Sequence, residues 1–541
     1  MLTALRRSRW KWLIISIAAG LVSLPAGAGA KEPTLQAAGA GPAPDGTMSA
    51  AARTAMEEGA LVPDQEAYER QKARANAAAG ADVAASEFAP LAPVLSRSYQ
   101  GVFDLGSAPS DSTGAVGSTR YIELINRKFA IYTKTSNAPI GSGTLNTLFG
   151  QASTANSFDP QTMWDPGTNR FYYAGDTVRS ASDNVVSIGF SKTASPTNGT
   201  TDWCHYEVGF GSRFPDYPKL GDSSRFMIVG VNSFGPAGFL GSDAFGLSKP
   251  PAGTTCPAAS TFKFGLRQNL TGPTAAGPGT APVFTPVPAN QTDSATTGYL
   301  VARTISLPST RFSLHRVTAD TGGNPVFQNP GLPVTVPSYN VPADARQKTP
   351  SVKLLDTLDA RPTQAVAAVD PARLTTPPGA IWTQHTTAGG VGAEVRWYEI
   401  NPVTRAVLQT GKVTSASLFN FNAAISPDRA RFGTAGSGGD SMVMGYTASG
   451  DSHFPLLRMV SKVGAAAQSA PVNVRTSPGN YIGFDCAGTD NACRWGDYSA
   501  ATPDPTPPAG TTRVWMTNQY ASGATSTTQA NWRSWNWAAR P

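Results

Sequence analysis

Six stretches of this chain share one layout, and that repetition limits the fold more than any other feature. Each runs from a polar residue through a small or apolar run to a Pro/Asp/Gly-rich turn. Each then enters a strand that begins at or near an arginine. They are DSTGAVGSTRYIEL, DPQTMWDPGTNRFYYAG, DYPKLGDSSRFMIVG, QAVAAVDPARLTTPPGAIWTQ, NAAISPDRARFGTAGSGGDSMVMGY and DYSAATPDPTPPAGTTRVWMTNQ. Their leading residues are Asp111, Asp159, Asp216, Gln364, Asn422 and Asp497. The gap between Asp216 and Gln364 is of double length, and the runs GYLVARTIS and RFSLHRVTA fill it with a further unit whose leading residue is not marked. Runs rich in β-branched and aromatic residues between turn clusters read as strands. So many short strands require a closed or radially repeated architecture, because open edges aggregate. Seven units of roughly four strands predict an all-β fold, a seven-bladed β-propeller over residues 96–541. The terminal NWRSWNWA has no strand after it, so the segment from Ser96 to Asp104 is expected to complete the last blade.

The remainder of the chain differs in texture. Residues 1–30 carry Arg6, Arg7, Arg9 and Lys11, then the apolar run LIISIAAGLVSL and the small-residue stretch PAGAGA, the pattern of an export signal. The apolar run falls short of the roughly 20 residues of a membrane span. Residues 31–95 are rich in Ala, Glu, Arg and Gln, good helix formers, and predict a helical or disordered extension serving as linker, pro-segment or cap. The formal charge of +7 includes the four cations of the leader, leaving +3 for the remainder, with no basic stripe for nucleic acid. Four cysteines in an exported chain read as two disulfides. Three pairings are possible, and nearness along the chain favours Cys486 with Cys493 and Cys204 with Cys256. A secreted or periplasmic monomer without a transmembrane anchor is expected.

RWGDYS followed by an Asp-Pro turn, FDP…WDP…RFYY, and DYPKLG resemble the blade signatures of exported bacterial propeller proteins of the sialidase-like superfamily. The resemblance covers roughly residues 96–541 and implies the propeller fold. The Asp-box of sialidases proper, S-x-D-x-G-x-T-W, does not occur.

In a propeller the first strand of each blade lines the central channel. One repeat position therefore forms a ring: Asp111, Asp159, Asp216, Gln364, Asn422 and Asp497. Converging oxygens suit a hard cation such as Ca²⁺, with Asp159, Asp216 and Asp497 the expected ligands, or the hydroxyls of a sugar. The other reading of such residues is local, as Asx-turns or ties between blades. Three residues upstream stand Arg213, Arg361 and Arg494, whose guanidinium groups suit an acidic glycan or else neutralise neighbouring aspartates. The histidines His205, His315, His385 and His453 fit no metal-ligand pattern. GDSHFP places His453 beside Asp451 and Ser452 without a nucleophile elbow. Three functions follow as expectations. The first is a propeller binding an extracellular glycan or envelope partner at its channel face. The second is a carbohydrate-active enzyme on an acidic polysaccharide, either a glycoside hydrolase using two ring carboxyls or a lyase using Tyr217, Tyr498 or the arginines. The third is a structural propeller without ligand.

Overall fold

The computed structural model describes residues 33–39, 47–49, 52, 61–80, 92–253, 255–274, 277–429, 438–487 and 492–541. The expected signal and parts of the 31–95 extension lie outside the described residues.

Seven antiparallel sheets follow one another along the chain and close into a ring. Their channel-side strands are Thr113–Val116, Asn156–Asp165, Phe214–Asp222, Gly277–Pro288, Pro362–Ala368, Phe419–Pro427 and Ala500–Pro503. We number blades 1 to 7 in that order. Most strands are buried on both faces because each blade is stacked between two others. Leu124, Phe129 and Ile131 of blade 1 meet Trp164, Phe171 and Tyr173 of blade 2. Trp382 and Trp397 of blade 5 meet Ile425, Met444 and Tyr446 of blade 6. The core is thus a ring of interblade layers.

Closure follows the sequence expectation. Val94–Gln100 pairs antiparallel with Trp532–Arg540, so both ends of the ring contribute strands to blade 7. Two additions were not foreseen. Thr34–Ala37 adds a fifth strand to the outer edge of blade 2. Asn290–Gln291 pairs in parallel with the channel-side strand of blade 5 and narrows the channel.

Both disulfides form as expected, Cys204–Cys256 and Cys486–Cys493. The first spans 52 residues and the second 7. Chain-entropy arguments then assign about 4 kcal/mol to the longer loop and about 2 kcal/mol to the shorter. Replacing Cys204 and Cys256 together by serine is therefore expected to shift the urea midpoint roughly twice as far as replacing the other pair.

The extension is not a free linker. It contains one described α-helix, Gln65–Ala78, capped by Asp64, whose side chain accepts from the Ala67 amide at 2.9 Å. Ala75 and Ala79 pack on a cluster containing Ala343, Phe419 and Trp495. Leu61 and Met48 pack beside Phe158 and Phe214, next to the beginnings of two channel-side strands. The extension therefore lies over the end of the channel at which those strands begin. Among the described residues, no helix is long and apolar enough to cross a membrane.

Candidate functional site: a carboxyl cluster in the channel

The repeated column has a backbone cause. The pairing register slips between Phe158 and Gln161, Asp216 and Lys219, Phe284 and Val287, and Phe421 and Ala424. These are β-bulges, in which one strand carries an extra residue. The first of the two residues left unpaired in each bulge is left-handed: Asp159 (φ 49°), Tyr217 (59°), Thr285 (54°) and Asn422 (47°), with Asp111 (42°) in the matching place of blade 1. Asp and Asn tolerate this region better than other non-glycine residues, because their short polar side chains bond locally. Much of the sequence repeat is therefore a repeat of bulges.

This corrects the column in two places. The unmarked leading residue of blade 4 is Thr285. Asp216 precedes the left-handed Tyr217, so it stands one position ahead of Asp111, Asp159 and Asn422; the Asp-Tyr pair recurs at Asp497–Tyr498. Gln364 and Asn422 bond to blade 7 rather than face a common ligand. Gln364 Nε2 donates to the Ala501 carbonyl at 2.7 Å, and its Oε1 accepts from the Ala501 amide at 3.0 Å. Asn422 Nδ2 donates to Asn518 Oδ1 at 3.1 Å.

Asp111, Asp159, Asp216 and Asp497 are buried and share one electrostatic cluster. Asn126 Nδ2 donates to Asp111 Oδ2 at 2.5 Å, while Asn126 Oδ1 accepts from the Asp159 amide at 2.8 Å. Asp111 Oδ1 in turn accepts from the Asp497 amide at 2.7 Å. This relay joins blades 2, 1 and 7. A fifth carboxyl, Asp176, comes from the second strand of blade 2, opposite Phe158. Neither of its oxygens has a hydrogen-bond partner.

Burial raises Asp111, Asp159, Asp176 and Asp216 first, and repulsion from neighbouring aspartates raises them further. Asp159 is pushed up to about 7 by burial, then by Asp216 and Asp497. Asp216 also reaches about 7, by burial partly offset by Arg361. Asp111 and Asp176 are raised well above the usual carboxylate range, by burial and by neighbouring aspartates. Three cations face them. Arg494 donates to both Asp497 oxygens at 3.1 Å. Arg361 holds Asp359 at 2.7 Å and stacks on Tyr217 at 4.6 Å. Lys219 is lowered well below the usual lysine value by burial, against the pull of Asp159, Asp111 and Asp497. Its ammonium nitrogen sits 3.3 Å from the Tyr498 ring centre and 3.9 Å from that of Tyr217. The two tyrosines cross the channel: Tyr498 Oη donates to the Pro160 carbonyl at 3.0 Å, and Tyr217 Oη to the Asp497 carbonyl at 2.8 Å.

Arg213 is not part of this cluster; it pairs with Asp243 at 2.6 Å. The arginine column is thus split, and each of its members neutralises an aspartate. Among the described residues, no three His, Cys, Asp or Glu side chains are disposed as ligands of one metal ion. His453 bonds the neighbouring Ser452 at 2.8 Å on an exposed turn, and Asp451 pairs with Arg346 at 2.7 Å, so no triad forms. Sequence reasoning missed Asp176 and Lys219, because an isolated Asp or Lys inside a strand carries no local signal.

The channel is nearly closed. Below the cluster, Thr113, Gln161, Thr162, Asn290, Gln364 and Thr502 are among the residues lining a cavity of about 20 Å³. Above it, a cavity of about 10 Å³ runs from Asp356 and Arg361 to Asn422 and Gly496. Each holds about one water molecule.

No protein-family model and no curated protein matches the chain. Among solved structures, it is similar to a mutant of the Synechocystis apocarotenoid oxygenase, with 12% identity over 70% of this chain and 77% of that one and a TM-score of 0.38. It is also similar to the Penicillium chrysogenum alpha-L-arabinanase complexed with arabinobiose, with 12% identity, 67% and 94% coverage, and a TM-score of 0.32. A subtype N11 neuraminidase-like protein of a flat-faced bat influenza virus matches at 8% identity, with 83% and 97% coverage and a TM-score of 0.29. Likeness of this degree says nothing about chemistry, and the function is argued from the side chains.

Proposed function

We propose that the chain is an exported protein that processes a carbohydrate at the carboxyl cluster of its channel. The observation that carries this reading is that Asp159 and Asp216 are poised at about 7 beside Asp497, which is paired with Arg494. Carboxyls held near neutral pH exchange protons efficiently, and carboxyls in different environments divide acid and base roles. Glycoside cleavage needs that division: one carboxyl protonates the leaving oxygen while another, ionised, activates water or stabilises the developing positive charge. Asp159 would serve as the acid, and Asp497, held by Arg494, as its partner carboxyl. The disulfides fit the oxidising compartment that export implies.

A cavity of one water cannot admit a sugar ring, so this reading requires the extension over the channel end to move. A second reading, binding without turnover, is favoured by the amides and hydroxyls of Thr113, Gln161, Thr162, Asn290, Gln364 and Thr502, which line the cavity below the cluster together with Lys219 and match sugar hydroxyls. The test is release of reducing ends from neutral and acidic polysaccharides, with and without Ca²⁺. Release on one polymer, falling at least a hundredfold in both Asp159→Asn and Asp497→Asn, is the expected result. Affinity for a polymer that declines gradually across several cluster variants, with no release, would replace the enzymatic reading by the binding one.

A further inference from the structure

Tyr68, Lys72 and Asn76 recur at intervals of four and so share one face of the helix Gln65–Ala78. That face meets the propeller through polar groups. The Lys72 ammonium lies 2.7 Å from Asp344 Oδ1 and 3.4 Å from Asp356 Oδ1. It donates to Thr357 Oγ1 and to the Leu358 carbonyl, both at 2.9 Å. Asn76 clamps the same aspartate twice: its Nδ2 donates to Asp344 Oδ2 at 3.1 Å, and its Oδ1 accepts from the Asp344 amide at 2.7 Å. Lys72, Asp344 and Thr357 are all at least nine-tenths buried. Lys72 is the only ion-pair partner within 4 Å that the described residues give Asp344 or Asp356.

Four oxygens surround a group with three N–H donors, which is the requirement of a desolvated primary ammonium. A quaternary ammonium has no donor to offer, and a planar guanidinium calls for a fork of acceptors instead. The segment Asp356–Arg361 that supplies most of these oxygens also forms the wall of the upper cavity, which reaches Asn422 and Gly496 in the channel. Arg361 joins the two levels. Its Nη2 donates to the Leu61 carbonyl of the extension at 3.0 Å, and its guanidinium stacks on Tyr217 of the cluster.

We infer that this oxygen-lined pocket is a recognition site for a primary ammonium, filled in cis by Lys72 while residues 61–80 cover the channel, and open to the amino group of an amino sugar when they leave. The pocket itself stands on the contacts of Lys72. The sugar rests on the proposed carbohydrate function, because Asp356, Thr357 and Leu358 form both the pocket and one wall of the cavity above the carboxyl cluster. An amino sugar bound with its ammonium at Asp344 and Asp356 would set its ring over the channel end, in the space that residues 61–80 vacate. The charge it carries replaces that of Lys72, so Asp344 and Asp356 keep a counter-charge throughout.

The test uses the full chain with Lys72→Ala, melted in ethylammonium, tetramethylammonium or sodium chloride at matched ionic strength. The variant is expected to melt about 5 °C or more below the wild type, since the buried Asp344 loses its ion-pair partner and Asp356 loses one of its counter-charges. Ethylammonium should restore much of that loss with a saturating concentration dependence. Tetramethylammonium and sodium should not, and the wild type, its pocket already filled, should respond to none of them. A glucosamine disaccharide should then bind the variant at least tenfold more tightly than ethylammonium does, and its N-acetylated counterpart should not bind. Equal responses to ethylammonium and tetramethylammonium would overturn the pocket. Ethylammonium rescue with no gain from the disaccharide would overturn the sugar and leave Lys72 as an anchor only. If Lys72→Ala does not fold, Lys72→Gln retains hydrogen-bond donors without the charge and is displaced by the same probes. None of these readouts depends on turnover, so failure here is distinguishable from failure of the reducing-end assay.

Discussion

Asp159→Asn is expected to gain stability over the wild type as pH rises from 4 to 7, and to hold that gain above pH 7. In the folded chain Asp159 titrates at about 7, against an ordinary value of 3.8. Between those values the folded state keeps a proton that the unfolded chain has released, so raising the pH favours unfolding. Below the ordinary value both states are protonated and the effect vanishes; above 7 it is complete. The penalty reaches about 4 kcal/mol at most once Asp159 is fully ionised in both states. Asn cannot ionise, so it removes this penalty and lessens the repulsion felt by Asp216 and Asp111. It also fits the backbone, since Asn422 occupies the corresponding bulge position of blade 6 with nearly the same left-handed φ. The wild-type pH profile alone does not isolate the effect. His315 and His385, both pushed down to about 3 by burial, contribute in the opposite direction, their stability lost as pH falls below the ordinary histidine value of 6.5. The difference in melting temperature between variant and wild type, measured at pH 4, 5.5, 7 and 8, cancels the histidines. A difference that does not change with pH would mean that Asp159 titrates normally. On the proposed function the same variant gains stability and loses turnover, the trade expected of a site that stores unfavourable electrostatics for chemistry.

What could be read from sequence follows from how local each signal is. The strands and their turns are legible because alternation and turn chemistry act over a few residues. Ring closure is legible because Ser96–Asp104 has the texture of a strand outside the repeated units, and Val94–Gln100 pairs with Trp532–Arg540. The column at Asp111, Asp159 and Asn422 is legible because left-handed bulge positions select Asp and Asn. Its register at Asp216 is not, because a tyrosine occupies the left-handed position and the local string does not reveal where the bulge falls. Asp176 joins the cluster only through cross-strand pairing with Phe158, and Lys219 through the inward turn of its strand. Neither relation is visible in a linear motif. The extension reads as a helix from its alanines, but its docking face, Tyr68, Lys72 and Asn76, is polar. A stripe with no apolar periodicity looks like a linker until its partners are in place.

Deleting residues 532–541 is expected to abolish cooperative folding altogether, whereas breaking the added outer strand of blade 2 should leave the ring intact. The deleted strand lies between Val514–Ala521 and Val94–Gln100, so its loss opens the ladder that unites the two ends of the propeller. It also empties an interblade layer, since Trp537 packs with Val443, Met459 and Met516 between blades 6 and 7. Truncating one such buried tryptophan to alanine costs about 3–5 kcal/mol, a large share of the roughly 5–15 kcal/mol that holds a domain folded. A buried carboxyl suffers as well. Glu123 of blade 1 accepts from Asn536 Nδ2 and Tyr132 Oη, each at 2.9 Å, and from the Val102 amide at 3.2 Å. Burial already raises Glu123 above the ordinary range, and without Ser534 and Asn536 two of the bonds that offset burial are gone. By contrast, Thr34–Ala37 pairs only along the outer edge of Trp203–Gly211, away from the channel and from ring closure. Leu35→Pro, which interrupts that ladder, should lower the melting temperature by no more than a few degrees and leave a single transition. Calorimetric scans of the two variants decide the matter. A cooperative transition in the truncated chain would mean that blade 7 is not what closes the ring, and loss of cooperativity in Leu35→Pro would make the extension part of the folding core.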